Sequence, residues 1–266
     1  MPSNSPAWLA GPCYNLPQSE KAKGLAERLG ELTQWHAQNC REYRHWLVFR
    51  HGPEWQKILS SGQNSTDATG PYSVAPPLSV NVFKHQRLMS VPEDQVVVQL
   101  NSSGTTGQMP SQIFLDRQTA KSQALALNRI VESIIGDGRF PLLLLDYPGI
   151  LQQRTAYSAR LAAILGFQRF GRPTWFAFQD DSWSLNHSAL AEFQEAVAEK
   201  PGLLVGMTTI VWFNLLPQLE ASGLKLDLKQ ACLFHGGGWK RVERQSVTRA
   251  EFNSVVQQTM GLVRIH

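Results

Sequence analysis

The sequence contains few cysteines, few charged residues and no long apolar run. Its three cysteines (Cys13, Cys40 and Cys232) share no metal-like spacing, which favours a reducing, cytoplasmic compartment. No apolar stretch approaches the roughly 20 residues of a membrane-spanning helix. The first residues also lack the basic start and apolar core of a signal peptide. We therefore expect a cytoplasmic protein without a membrane span.

Charge is also sparse, since charged residues make up 17% of the 266 residues and the net charge is only +4. The absence of a Lys/Arg block argues against a nucleic-acid partner. Hydrophobic residues make up 42%, which is typical of a globular rather than a disordered chain. The length is sufficient for one large domain or two small ones.

Two common kinds of catalytic or metal site are missing as well. The nucleophile-elbow pattern Gly-x-Ser-x-Gly is absent, which argues against Ser/His/Asp hydrolysis. His36 and Cys40 share a helix face, with His45 and His51 nearby, but no second ligand pair completes a tetrahedral zinc site. Cys232 lies in a strand pattern and is expected to be a small buried residue.

The most distinctive segment present is a Ser/Thr/Gly-rich stretch at residues 101–111, after the apolar residues 96–98. Glycine lets the backbone bend toward a ligand, and hydroxyl and free N–H groups can surround phosphate oxygens. An ordinary polar hairpin loop fits the composition equally well. The candidate phosphate-binding residues are Ser102, Ser103, Gly104, Thr105, Thr106 and Gly107.

The setting of this loop excludes two well-known nucleotide-binding motifs. A Walker loop needs lysine after its last glycine and must open a helix, but here Gln108, Met109 and Pro110 follow. Residues 112–116 then read as a short strand. The strand–loop–strand context argues against both the P-loop and the dinucleotide fingerprint.

The rest of the chain predicts a helical N-terminal segment at residues 1–95 and an α/β core at 96–266. Apolar spacing predicts helix over residues 19–59, followed by a Ser/Gly/Pro-rich connection at 60–77. Strand and helix patterns then alternate, which indicates a mainly parallel or mixed sheet with helices on both faces. Strands are expected at 141–146, 202–205 and 231–235, and helices at 117–135, 154–165, around 190–197, at 210–216 and at 249–260. Asp116 is expected to cap the first of these helices, Gly166 to stop the second, and Thr248 and Gly261 to begin and end the last.

Ligands of such sheets bind beyond the carboxyl ends of the strands, where this sequence places polar residues and glycines. Asp146 is expected to cap the segment after its strand. Three successive glycines could lie against a flat base or form a flexible turn. Trp239 could stack on a ligand or anchor the core. The remaining candidates are Gly236, Gly237, Gly238 and Lys240 for the nucleotide, and Thr209, Trp212 and His235 for the substrate, although helix packing explains Trp212 equally well.

The loop in its strand–loop–strand setting resembles the signature loop of adenylate-forming enzymes, which closes over the phosphates of ATP. Gln108 departs from the lysine that is usual there. The loop sequence up to Pro110-Ser111, followed by Leu115-Asp116, most resembles the acyl-protein synthetases of the LuxE type. Residues 159–167 and 235–240 support the same family.

This resemblance implies a ligase that uses ATP and Mg²⁺ to convert a carboxylic acid, most naturally a fatty acid, to an acyl-adenylate. The acyl group then passes to a protein thiol, with an acyl reductase or acyl-carrier protein as partner. It also implies that residues 236–238 lie against adenine.

The C-terminal pattern predicts a polypeptide cut short, because a strand pattern begins at 262–266 where the sequence stops. The family's magnesium glutamate, ribose aspartate, catalytic lysine and acyl-accepting cysteine have no counterpart in these residues. We therefore expect weak nucleotide binding and no adenylation from this chain alone. The alternative is a non-catalytic or split ATP-binding or interaction module that needs a C-terminal partner.

Overall fold

The computed structural model describes residues 14–57, 77–101, 109–152, 158–262 and 264–266. The chain forms two compact units, Met1–Ser133 and Ile134–His266. The division into domains after residue 95 stays a prediction. Within the described ranges, every helix is too short or too polar to cross a membrane.

The first unit combines helices with a two-stranded sheet. Its predicted helical stretch is interrupted at Cys40, whose backbone is extended (φ −122°, ψ 110°). The cysteine N–H still donates to the carbonyl of His36 at 2.8 Å, which ends the first helix. The elements are α1 (Gln18–Asn39), α2 (Arg41–His51), α3 (Val82–His85), β1 (Val96–Asn101), β2 (Gln112–Asp116) and α4 (Arg117–Ile135).

Strands β1 and β2 pair antiparallel, with Val96 opposite Asp116 and Asn101 opposite Gln112. This confirms the predicted strand–loop–strand setting, while residues 102–108 themselves lie outside the described ranges. Asp116 Oδ1 accepts the N–H of Thr119 at 2.8 Å, so the predicted cap of α4 is also confirmed.

The second unit is built on a five-stranded sheet in which every neighbouring pair is parallel. The sheet has the order β4-β3-β5-β6-β7. Strand β4 was not predicted, because Pro173 interrupts its pattern. A proline is tolerated there because β4 is an edge strand, where one hydrogen bond between strands can be missing. The strands are β3 (Phe140–Leu144), β4 (Gly171–Phe176), β5 (Gly202–Met207), β6 (Ala231–Gly236) and β7 (Arg264–Ile265).

Helices cover both faces of this sheet, as predicted. Leu143, Leu204 and Leu233 lie in one fully buried core together with residues of α6, α8 and α9. Phe234 points to the opposite face, where its ring lies 5.2 Å from that of Phe167 on α5. The helices are α5 (Ala159–Gln168), α6 (His187–Ala196), α7 (Thr208–Ile210), α8 (Leu216–Ser222) and α9 (Arg249–Met260), with a π-helical turn at Val211–Leu215.

The ends of two helices test the sequence patterns directly. The prediction that α5 stops at Gly166 was wrong, because the helix continues to Gln168 and keeps Phe167 against the sheet. The prediction for α9 was right at both ends. Thr248 Oγ1 accepts the N–H of Glu251 at 3.2 Å, and Gly261 ends the helix with φ +65°.

Candidate functional site

The carboxyl ends of the five parallel strands lie at one edge of the sheet, where α/β proteins bind ligands. In parallel register, Gly206 pairs with His235 and Met207 pairs with Gly236. The residue after Met207 is Thr208, which therefore stands beside the end of β6. The sheet thus brings together a hydroxyl, an imidazole and a glycine turn.

Thr208 links these groups by two hydrogen bonds. Its Oγ1 lies 2.9 Å from Nδ1 of His235 and 3.0 Å from the carbonyl oxygen of Gly236. A carbonyl can only accept, and the hydroxyl has a single proton to donate to it. Both contacts are hydrogen bonds when His235 carries its proton on Nδ1 and donates to Thr208. Nε2 of His235 is then the acceptor nitrogen.

The imidazole of His235 is held as the neutral form. Burial lowers its pKa, and the positive charge of Arg249 lowers it further. The ring also stacks on Phe252 at a centroid distance of 4.5 Å. Near neutral pH, His235 therefore offers an acceptor nitrogen on a fixed ring.

Sequence patterns selected Thr209 at this strand end, but Thr208 makes the contacts with His235 and Gly236. Thr208 is buried, with 6% of its surface exposed, and Thr209 is half-buried. The parallel register of β5 and β6 is the signal that distinguishes the two residues. That register is a long-range property and is not readable from the segment itself.

Trp212 belongs to an aromatic cluster next to His235. Its ring is tilted on Phe252 at 5.9 Å and forms an edge contact with Trp239 at 6.0 Å. Trp239 in turn contacts the ring of Phe213 at 6.1 Å. Trp212 and His235 therefore pack on the same phenylalanine, and both tryptophans are half-buried. The placement of Trp212 in a substrate pocket stays a prediction.

The glycine turn has one crowded and two open positions. A Cβ on Gly237 (φ +99°) would lie 2.2 Å from Cε of Met207, so a larger residue would displace the backbone or that methionine. A Cβ on Gly236 or on Gly238 (φ +59°) would meet no atom of the described residues within 4 Å. The backbone at 236 and 238 can therefore be approached closely by a flat group.

The capping role of Asp146 stays a prediction, since its Oδ1 accepts the N–H of Tyr147, the next residue, at 2.8 Å. The side chain is 2% exposed and accepts from Nε of Arg160 at 2.5 Å and also from Nη2 of that residue. The guanidinium lies over the rings of Tyr147 and Trp183, at 5.5 and 5.0 Å from their centroids. A carboxylate buried at a strand end needs a counter-charge, and α5 supplies it from fourteen residues away.

The remaining candidates are distributed as follows. Ser102, Ser103, Gly104, Thr105, Thr106 and Gly107 lie outside the described residues, as does the side chain of Lys240. Within the described ranges, no group of three His, Cys, Asp or Glu side chains could hold a metal ion. Cys232 is fully buried as predicted, and burial raises the pKa of its thiol to about 11.

Residues 12–266 match the family of acyl-protein synthetases, LuxE. The long-chain-fatty-acid–luciferin-component ligase of Aliivibrio fischeri is 24% identical over 257 residues, which cover 93% of this chain and 61% of that protein. The chain thus spans less than two thirds of the length of this curated relative.

Solved structures of a 2-hydroxyisobutyryl-CoA ligase share the fold. Its open conformation, in complex with 2-HIB-AMP and CoA, gives a TM-score of 0.57 at 13% identity and covers 94% of this chain and 50% of the ligase. Its thioesterification state gives a TM-score of 0.54 at 15% identity, and the match covers 94% of this chain and 49% of the ligase. The chain shares the fold of about half of that ligase, and the family match over residues 12–266 shows that this chain belongs to the acyl-protein synthetase (LuxE) family.

Proposed function

We propose that this protein takes part in the ATP-dependent activation of a long-chain fatty acid and the transfer of its acyl group to a protein thiol. Family membership supports the reaction class. The name of the Aliivibrio fischeri relative supports the acid. The structural observation that carries the proposal is the open glycine turn at 236–238, beside the Thr208–His235 pair at the carboxyl edge of the sheet.

The proposed chemistry has two steps. A carboxylate oxygen of the acid attacks the α-phosphorus of ATP, and the bond to the bridging oxygen of the β-phosphate breaks. Pyrophosphate leaves with that electron pair, and an acyl-adenylate remains. A thiolate then attacks the acyl carbon and AMP leaves, so that a thioester forms and no atom is oxidised or reduced. The thiol belongs to a partner such as an acyl reductase or an acyl-carrier protein.

The described residues would bind and orient the reactants. Gly236 and Gly238 would let adenine lie against the backbone, since neither position has a Cβ. Nε2 of His235 would accept a hydrogen bond from a donor on the ligand. Thr209 and Trp212 would line the acyl side. These roles are proposals that follow from position and chemistry.

The Ser/Thr/Gly loop would supply donors to the phosphates of ATP, with Ser103, Thr105 and Thr106 as the first candidates. Magnesium ions commonly reach such sites on the nucleotide phosphates, where they neutralise negative charge. The described residues contain no carboxylate cluster that fits the ion, so we assign no protein ligand to Mg²⁺ and derive no step from it.

The direct test is fatty-acid-dependent exchange of labelled pyrophosphate into ATP. Exchange that requires both hexadecanoic acid and the protein would support the ligase and would overturn the expectation that this chain alone gives no adenylation. Nucleotide binding without exchange for any acid would instead favour the alternative of a non-catalytic ATP-binding or interaction module.

The adenine assignment can be tested with two matched glycine variants. Gly238 and Gly223 both have positive φ (+59° and +66°), and a Cβ at either would meet no described atom within 4 Å. Alanine should therefore strain both backbones similarly. We expect Gly238→Ala to weaken the binding of a fluorescent ATP analogue about tenfold, equivalent to about 1.4 kcal/mol, and Gly223→Ala to leave it unchanged. Equal affinities in the two variants would exclude the adenine role.

The phosphate loop has its own test. Thr105→Val removes one hydroxyl donor with little change in volume, and we expect it to lower ATP affinity without unfolding the protein. If exchange is measurable, the loss of one donor should cost on the order of a hundredfold in rate. Thr105→Ser keeps the hydroxyl and should retain binding. Unchanged nucleotide binding in Thr105→Val would remove the phosphate role of the loop.

A further inference from the structure

The first unit contains an apolar cavity of about 560 Å³. Its wall is formed by α1, Cys40, the start of α2, residues 78–91, β2 and the first turns of α4. The volume falls within the roughly 300–1,000 Å³ of small-molecule pockets, which are also mainly apolar. Among the lining side chains are Leu29, Leu32, Phe83, Leu88, Val91 and Phe114.

Four uncharged polar side chains of the wall are hydrogen-bonded in two pairs. Nδ1 of His36 lies 2.7 Å from Oγ of Ser90, and the hydroxyls of Tyr43 and Thr33 are hydrogen-bonded. Burial lowers the pKa of His36 and raises the pKa of Tyr43, so both side chains are neutral near pH 7. These groups therefore do not require a polar ligand.

The charged side chains of the wall have partners as well. Arg28 forms an ion pair with Glu31 at 2.9 Å, and Asp116 accepts the N–H of Thr119 at 2.8 Å. A polyphosphate or another charged ligand in the cavity would lose its hydration without gaining a counter-charge. An alkyl chain needs only apolar surface, which this wall supplies.

We propose that this cavity binds the alkyl chain of a long-chain fatty acid. The identification of the ligand as an acid rests on the proposed function, whereas the preference for a long apolar chain rests on the cavity itself. The residues that line the cavity include none of those assigned to the adenylate or to its acyl side at Thr209 and Trp212.

The first test uses the purified protein and a series of saturated fatty acids from six to eighteen carbons in calorimetric titrations. Each added methylene buried in the cavity should strengthen binding by about fourfold until the space is filled. Longer acids should then show a plateau. Affinity that is independent of chain length, or the absence of binding by any acid, would overturn the inference.

Two tryptophan variants on the same helix locate the site. Ser122 on α4 lines the cavity, whereas Ser133 on that helix is exposed and outside its wall. We expect Ser122→Trp to weaken hexadecanoate binding at least about tenfold and Ser133→Trp to leave it unchanged. Val91→Trp fills the cavity from another segment and should act like Ser122→Trp. Circular dichroism checks that each variant is folded. Wild-type affinity in both folded cavity variants would exclude the site.

A photoactivatable fatty acid with a diazirine at its chain end separates this inference from the proposed function. Labelling of peptides from α1, β2 and α4 is expected, whereas labelling only within residues 202–239 would overturn the cavity assignment. Binding and labelling in the cavity without pyrophosphate exchange would leave this inference intact and contradict the ligase. The opposite outcome has two parts: pyrophosphate exchange with hexadecanoate at equal rates in wild type and Ser122→Trp, and labels only at 202–239. That outcome would support the ligase and contradict the cavity assignment.

Discussion

The two units of this protein differ in how completely their apolar side chains fill the interior. In the second unit, Leu143, Leu204 and Leu233 are fully buried between helices and sheet. In the first unit, the apolar side chains of α1 and β2 surround a cavity of about 560 Å³. The filled unit holds hydrogen-bonded polar groups at the ends of its strands, whereas the other keeps room for an apolar ligand.

Sheet architecture explains this difference. A parallel sheet is covered on both faces, so its strands read as continuous apolar runs and pack densely. A two-stranded antiparallel sheet has too little surface to enclose a core alone. Accordingly, Val97 and Ile113 on β1 and β2 are 50% and 46% exposed. Helices and the segment at 78–91 must complete the wall around β2.

The largest effect is expected when one leucine side chain is truncated in each unit. Leu204→Ala removes a fully buried side chain from the second unit and should lower the free energy of unfolding by about 2–5 kcal/mol. Leu32→Ala should cost less, about 1–2 kcal/mol, because one side of Leu32 already faces the cavity. Hydrogen exchange of peptides from each unit, followed by mass spectrometry, measures both. Equal losses would mean that the two units are equally well packed.

The next effect concerns the ion pair at the end of β3. Arg160→Ala should destabilise the second unit by about 3 kcal/mol, because it leaves the buried carboxylate of Asp146 without a counter-charge. The double variant Asp146→Leu/Arg160→Met should recover most of this loss, since both charges are gone. Urea denaturation of the three proteins measures the difference. A double variant no more stable than Arg160→Ala would show that packing, rather than charge pairing, is lost.

A smaller effect is the pH dependence of the second unit. Because folding lowers the pKa of His235 from 6.5, the unfolded chain binds the proton more readily. The stability present above pH 6.5 should therefore decrease as the pH falls toward the folded-state pKa. Hydrogen exchange of β6 peptides, compared between pH 7 and pH 5, should show this decrease in the wild type and less of it in His235→Gln. Identical pH profiles for wild type and His235→Gln would contradict this account.

The hydroxyl of Thr208 contributes to the stability of the same site. Thr208→Val should cost about 1 kcal/mol at pH 7 through its lost hydrogen bonds.

The smallest effect should be the same in both units, because helix caps are local. Asp116→Ala removes the cap of α4 and Thr248→Ala removes the cap of α9. Each substitution should cost about 1 kcal/mol, whatever the packing around the helix. Thermal unfolding of the two variants tests this equality. A much larger loss for either one would reveal a tertiary role for that side chain.

Local patterns predicted much of the fold because they depend on neighbouring residues. The caps at Asp116 and Thr248 and the apolar runs of β3, β5 and β6 were all predictable in this way. The break at Cys40 and the edge strand β4 were not, since neither has a distinct local pattern. The continuation of α5 past Gly166 reflects the packing of Phe167 on the sheet, which overrides the helix-ending tendency of glycine.

The sequence by itself determined the α/β class, the strand–loop–strand setting and the glycine turn, because short-range periodicity and glycine geometry specify them. Only the tertiary structure decided that Thr208 contacts His235, that Asp146 pairs with Arg160, and that α1 and β2 enclose a cavity. These features join residues far apart in the chain. They depend on strand register and on how completely side chains fill space, and neither is encoded within a single segment.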